Sequence, residues 1–210
     1  ADAFSQHRGI LTVVTLKLSD VEDSGRNFAL VREHNKMFAD RGVLAFCEVI
    51  TVKNLHNGIL AVAQANGFAG LDSNTAMFGW PGEDPEALGR LLTLTRQLAR
   101  LEKCTLIHRP GTTPFTNRKD RRVVVWWKGR ESNGDLMLLL AHLLTQDPAW
   151  RDVKIVLKTV VNEAGELEQR QQEFAAMLPE IRIDADVSVV VRPDGMPIPE
   201  VIRRNSLEAE

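Results

Sequence analysis

Five histidines, two cysteines and one serine between glycines are the residues whose types could carry catalysis or hold a metal. The histidines are His7, His34, His56, His108 and His142. No two of them stand four apart, so no helical face offers a pair of imidazoles to a metal. His142 lies inside the apolar stretch Leu136–Leu144, where a hydrogen-bonded core histidine is the simpler reading than a general base. Cys47, in Phe46-Cys47-Glu48, and Cys104 both fall in apolar runs, as buried thiols in a reducing compartment do. Two cysteines make no disulfide scaffold, and these lack the paired spacing of a zinc site. Gly129-Arg130-Glu131-Ser132-Asn133-Gly134 has one residue too many before its serine to be the nucleophile elbow of a hydrolase. The expectation is a non-enzyme with no catalytic residues and no metal site, in which Cys47, Cys104 and His142 are buried.

Nucleotide binding is the stronger rival, because parallel sheets bind ligands at the carboxyl ends of their strands. The chain has no Walker A loop and no G-x-G-x-x-G after a strand. Gly67-Phe68-Ala69-Gly70 followed by Gly79-Trp80 approaches the glycine spacing of ATP-binding universal stress proteins. It is one residue short, puts Trp80 where a Ser or Thr would meet phosphate, and precedes a strand. A helix stop at Gly67, a turn at Gly70 and a tight strand exit at Gly79-Trp80-Pro81-Gly82 account for the same glycines. No cofactor is expected, and no cofactor-binding residue is assigned. Trp126 and Trp127 end a strand, so their side chains point to opposite faces. One belongs to the core, and the other covers the second face or meets a partner.

The elements that would position these residues follow from pattern. Apolar, β-branched runs at Ile10–Leu16, Val43–Val52, Thr75–Trp80, Cys104–His108, Val123–Trp127, Lys154–Val161 and Asp186–Val191 alternate with helical windows. Phe28, Val31 and Phe38 mark one helix that stops near Gly42. Leu55, Ile59, Val62 and Ala63 mark a second, with Asn54 as N-cap. Asp84-Pro85-Glu86 is a strong helix start, a capping carboxylate followed by Pro at the first helical position; Leu88, Leu91, Leu92, Leu98 and Leu101 give its buried face. Leu167, Phe174 and Leu178 form a narrow stripe on a Gln/Glu-rich helix expected to stop at Pro179. This alternation predicts α/β architecture, a mainly parallel sheet with helices on both faces. The segment Arg109–Arg122, rich in Pro, Gly, Thr and charge, breaks it. Two α/β halves are expected, residues 1–118 and 119–210, the second truncated before its last strands.

Composition sets the outer bounds. Hydrophobic residues make up 44% and charged residues 26%, with a net charge of −2, which excludes general disorder. With a pI of 6.3 there is no basic excess to neutralise a phosphate backbone, and no nucleic-acid partner is expected. The Leu136–Leu144 run is far shorter than the about 20 residues of a membrane span. The absence of an initiator Met and the ending at Glu210 within a helical pattern suggest a piece of a longer protein.

Several blocks in one order carry a family resemblance. They are Gly42-Val43-Leu44-Ala45-Phe46-Cys47-Glu48-Val49; Ala69-Gly70-Leu71-Asp72-Ser73-Asn74-Thr75-Ala76-Met77-Phe78-Gly79-Trp80-Pro81; Val125-Trp126-Trp127 with Asp135-Leu136-Met137-Leu138-Leu139-Leu140; Trp150-Arg151; and Ile183-Asp184-Ala185-Asp186-Val187. On these the chain resembles the cytosolic C-terminal domain of cation-chloride cotransporters, the potassium-chloride and sodium-potassium-chloride carriers. The Lys128–Gly134 loop lacks the His-Asp-Gly-Gly of animal members, Val124 stands where an aspartate is usual, and the late serine-rich insert is missing. The phosphorylation control of animal members is therefore not carried over, and the compact form is similar to a prokaryotic relative.

The resemblance implies two universal-stress-protein-like halves on the cytoplasmic side of the membrane. Such a domain regulates or scaffolds a secondary transporter of the amino acid–polyamine–organocation superfamily. It forms a homodimer and is joined to the transmembrane domain of the same polypeptide, outside the ion path. The second half, with Trp126, Trp127 and the Glu163–Leu178 helix, is the expected dimer contact, the alternative being the first half or a terminal strand beyond this sequence. The alternative reading is a nucleotide-sensing module of the same architecture.

Overall fold

A computed structural model of the chain describes residues 9–20, 24–68, 71–111, 122–129, 133–148 and 150–207. It divides into two compact units, His7–Phe115 and Thr116–Glu210. The turn expected at Gly70, most of the Arg109–Arg122 segment, His7 and Ser132 lie outside the described residues.

In the first unit, β1 (Thr12–Leu18) runs into α1 (Ser24–Ala39) and returns as β2 (Phe46–Val52). The two strands pair in parallel from Thr12↔Phe46 to Leu18↔Val52. Helix α2 (Leu55–Ala65) follows, capped as its sequence predicts: Asn54 Oδ1 accepts from the Asn57 N–H at 3.0 Å. Two-residue strands β3 (Gly67–Phe68) and β4 (Leu71–Asp72) make a small antiparallel pair. Then β5 (Thr75–Gly79), α3 (Pro85–Arg100) and β6 (Cys104–His108) form a second parallel unit, Thr75↔Cys104 to Gly79↔His108. Asp84 Oδ1 caps α3 by accepting from the Glu86 N–H at 2.9 Å, with Pro85 at the first turn.

Alternation along β2 sends Cys47, Val49 and Thr51 to one face and Glu48, Ile50 and Val52 to the other. The first face meets α1, through Asn27 Nδ2 donating to Thr51 Oγ1 at 3.3 Å. The second meets α2 so closely that a Cβ on Gly58 would lie 2.8 Å from Val52 Cγ1. The core of this unit is small: Ala63, Leu94 and Leu98 with Ile59, Leu60, Ala76 and Phe78 around them.

In the second unit, β7 (Arg122–Trp126), β8 (Lys154–Val161) and β9 (Asp186–Val191) form one parallel sheet in that order. Val125, Trp127, Ile155 and Leu157 face α4 (Gly134–Gln146) and α5 (Leu167–Ile181), packing with Leu138, Ala141, Phe174 and Leu178. The alternate residues Trp126 and Lys158 bond to α6 (Ile198–Leu207) on the other face, so helices cover both sides. All seven strands read from the sequence pair in parallel, and β3–β4 is the antiparallel exception among the described residues.

Four readings need correction. Phe28 is 71% exposed, and Asn27 takes the buried position instead; the helix face runs 27, 31, 34, 38, and Phe28 lies one residue, 100°, off it. On α3 the buried set is Leu91, Leu94 and Leu98, spaced i, i+3, i+7, while Leu92 is exposed. Helix α5 passes through Pro179 to Ile181. Pro179 sits in the last turn, which closes on an Arg182 residue at φ 57° whose N–H reaches Pro179 O at 3.2 Å. Cys104 is exposed: among the described residues β6 pairs with β5 alone, and its Ile107 is also open to solvent.

Candidate functional site

Of the two tryptophans, one lies in the core and the other covers the second face of the sheet, as their alternation implied. Trp127 is 7% exposed and meets Phe174 edge-on, ring centroids 6.2 Å apart at 84°. Its carbonyl accepts from Thr159 Oγ1 at 2.9 Å. Trp126 lies on the other face as alternation requires, half-buried, its Nε1–H donating to Ser206 Oγ at 2.9 Å. Lys158, its register partner on β8, holds Nζ 5.8 Å above the Trp126 ring and donates to Asn205 O at 2.8 Å. The ammonium thereby neutralises a carbonyl in the last turn of α6. At the other end of α6, Glu200 accepts from Arg203 and Arg204 at 2.7 and 2.8 Å. Those two guanidiniums hold its carboxyl down at about 2. Nothing in the local pattern announces this latch, since its partners lie 47 and 80 residues apart.

Helix α5 has spent its apolar stripe: Phe174 and Leu178 are buried in the core of the unit, and Gln171 and Gln172 face solvent. The open apolar surface lies in the other unit. Among the described residues, the exposed large apolar side chains other than Leu139 and Ile198 belong to His7–Phe115, including Phe28, Leu44 and Phe46. A cleft of about 370 Å³ opens there between α2 and the β1–β2 pair, walled by Ile10, Phe46, Ile50, Val52 and Val62, with Glu48 at its rim. Composition and periodicity gave no sign of it, because exposure depends on how far α2 covers the sheet.

The second unit has a more polar cleft, about 520 Å³, where β8 and β9 begin. Arg151, Lys154 and Arg182 line it together with Asp184 and Asp186, and His142 stands in its wall. His142 is thus half-buried on an open cleft, contrary to the reading of a core histidine; in the last two turns of α4 its position falls beside the apolar face, not on it. The cations also lie next to the carboxyl ends of α4 and α5, where positive charge is favoured without a ligand. Cys47 is buried as expected, and burial pushes its thiol up, away from nucleophilic use. Among the described residues no three His, Cys, Asp or Glu side chains come together as a metal set, and no helix is long and apolar enough to cross a membrane.

These features define an α/β chain of parallel sheets. The family model of solute carrier family 12 matches residues 96–203, just over half of the chain. The chain belongs to that family, as the sequence blocks implied. Its fold is similar to the crystal structure of the cytoplasmic domain of a prokaryotic cation chloride cotransporter. That likeness has a TM-score of 0.60 and 17% identity, and it covers 87% of this chain and 68% of that one.

Proposed function

We propose that the chain is a cytoplasmic, non-catalytic domain of a cation-chloride cotransporter-like secondary transporter, and that it regulates the transporter and brings two copies together. The ions pass through membrane spans elsewhere in the polypeptide. The observation that carries this reading is the joint one: membership of solute carrier family 12 and the fold of a cotransporter's cytoplasmic domain. The two α/β units are taken as halves, residues 1–118 and 119–210, with no catalytic or metal-binding residue in either.

Pairing is assigned to the first half, reversing the preference drawn from sequence. The exposed Leu44 and Phe46 beside the apolar cleft support that choice, since apolar exposure marks contact surfaces. Trp126 and Trp127, by contrast, are already engaged within their own unit. The exposed thiol Cys104 offers a test of location in the full-length transporter. A membrane-impermeant maleimide should label it in inside-out vesicles and spare it in right-side-out ones. Labelling from the outside would overturn the cytoplasmic assignment.

A further inference from the structure

Helix α1 lies along β2 but buries few of its side chains there. It is 16 residues long and has one buried residue, Asn27. Helix α3, of the same length in the same unit, buries Leu91, Leu94 and Leu98. The Asn27 amide makes a single long bond, 3.3 Å to Thr51 Oγ1, while its Oδ1 is buried with no partner. Two turns further on the same face, His34 Nδ1 is also buried with no partner. Each such group loses hydration when the helix docks and regains it when the helix leaves. The apolar residue that could have compensated, Phe28, points to solvent.

We propose that α1 is a flap, opening from β2 as a unit while the β1–β2 pair, α2 and α3 stay folded. Opening uncovers the Cys47–Val49–Thr51 face of β2. Elements with few buried apolar contacts open locally at free energies well below global unfolding. Anything that binds the uncovered strand face, or the released helix, then shifts the opening equilibrium. Through such a flap a signal can reach this half without disturbing the second unit's core. The flap stands on packing alone and does not depend on the transporter assignment.

The two cysteines make it measurable. Cys104 is exposed and Cys47 is buried on the face that α1 covers, so Cys104 reports free-thiol reactivity and Cys47 reports opening. In urea below the unfolding transition, Cys47 should react with a maleimide at a rate nearly independent of urea. The paired substitution Asn27→Leu with Thr51→Val removes both members of the weak bond and the orphaned acceptor together. It should slow Cys47 labelling by about tenfold. Hydrogen exchange of the unsubstituted chain needs no variant, and α1 amides should exchange well before those of α3. A Cys47 rate that tracks global unfolding, an unchanged rate in the paired variant, or α1 amides as protected as those of α3 would each overturn the proposal. If the paired variant does not fold, the exchange comparison and the Cys47 urea dependence decide alone.

Discussion

A Cβ on Gly134 would lie 2.5 Å from Cζ3 of Trp127 and 2.8 Å from the carbonyl oxygen of Gly129. The first residue of α4 must therefore be glycine for the indole to enter the core with Phe174 and Leu138. Both near atoms belong to groups that cannot swing away, a buried ring and a backbone carbonyl. Gly134→Ala should destabilise the chain by about 2 kcal/mol or more. At Gly165 an added Cβ would meet nothing within 4 Å, which makes it the control, and Gly165→Ala should change stability by at most about 0.5 kcal/mol. Urea unfolding midpoints of the two variants give the comparison.

The latch over the second face of the β7–β8–β9 sheet gives another expectation. Ser206→Ala removes the acceptor of the Trp126 indole N–H and should cost about 1 kcal/mol. Lys158→Met keeps the packing of the stem but removes the cation over Trp126 and the donor to Asn205 O. Each should raise hydrogen exchange in the last turn of α6 while leaving α5 unchanged. Equal effects on both helices would mean that these bonds stabilise the unit as a whole and do not hold α6 in particular.

Acid should loosen α6 in a defined window. Arg203 and Arg204 lower the Glu200 pKa from 4.5 to about 2. A carboxyl lowered on folding contributes stability above its unfolded pKa, and that contribution fades as pH falls from about 4.5 through about 2. Its two arginine partners are exposed at the surface, so the change is small. It should vanish in Glu200→Gln, as read from exchange rates in α6 at several pH values corrected for intrinsic exchange. An identical pH profile in the variant would remove Glu200 from the account.

Much of the fold was legible because parallel strands buried on both faces are near-continuous apolar runs, and Asp84-Pro85 and Asn54 are local capping signals. All seven strands were found within a few residues of their bounds. Exposure was harder to read. Cys104 and Ile107 look like core until β6 is seen to pair on one side only, and Phe28 looks buried until the helix phase is fixed by Asn27. His142 sits among leucines in sequence yet on a cleft in space, since neighbours along a helix point in different directions. The Trp126–Ser206 bond and the apolar surface of the first unit depend on long-range packing, on which local pattern is silent.

The nucleotide-sensing alternative makes a contrary prediction. A ligand at one hundred times its dissociation constant stabilises the folded state by about 2.7 kcal/mol, well within reach of a thermal-shift screen. ATP, ADP, AMP and cyclic dinucleotides should leave the melting temperature unchanged if the chain is a contact and regulatory domain. A saturable upward shift with any one of them would favour the alternative.

Pairing through the first half can be read in the full-length transporter, with Cys47 and Cys104 replaced. Single cysteines at Leu44 or Phe46 should cross-link efficiently between copies, and one at Gln171 on α5 should not. The reverse pattern would return the contact to the second half.

Ion uptake by the full-length transporter, with this domain present and with it removed, tests the central claim most directly. In proteoliposomes the intact protein should carry out chloride-dependent uptake of a potassium congener. Removing the domain should change the rate of that uptake while its dependence on chloride and on the cation persists, because the proposed ion path lies in other segments. Uptake with the same rate and regulation after removal, or an ion requirement lost along with the domain, would contradict the account.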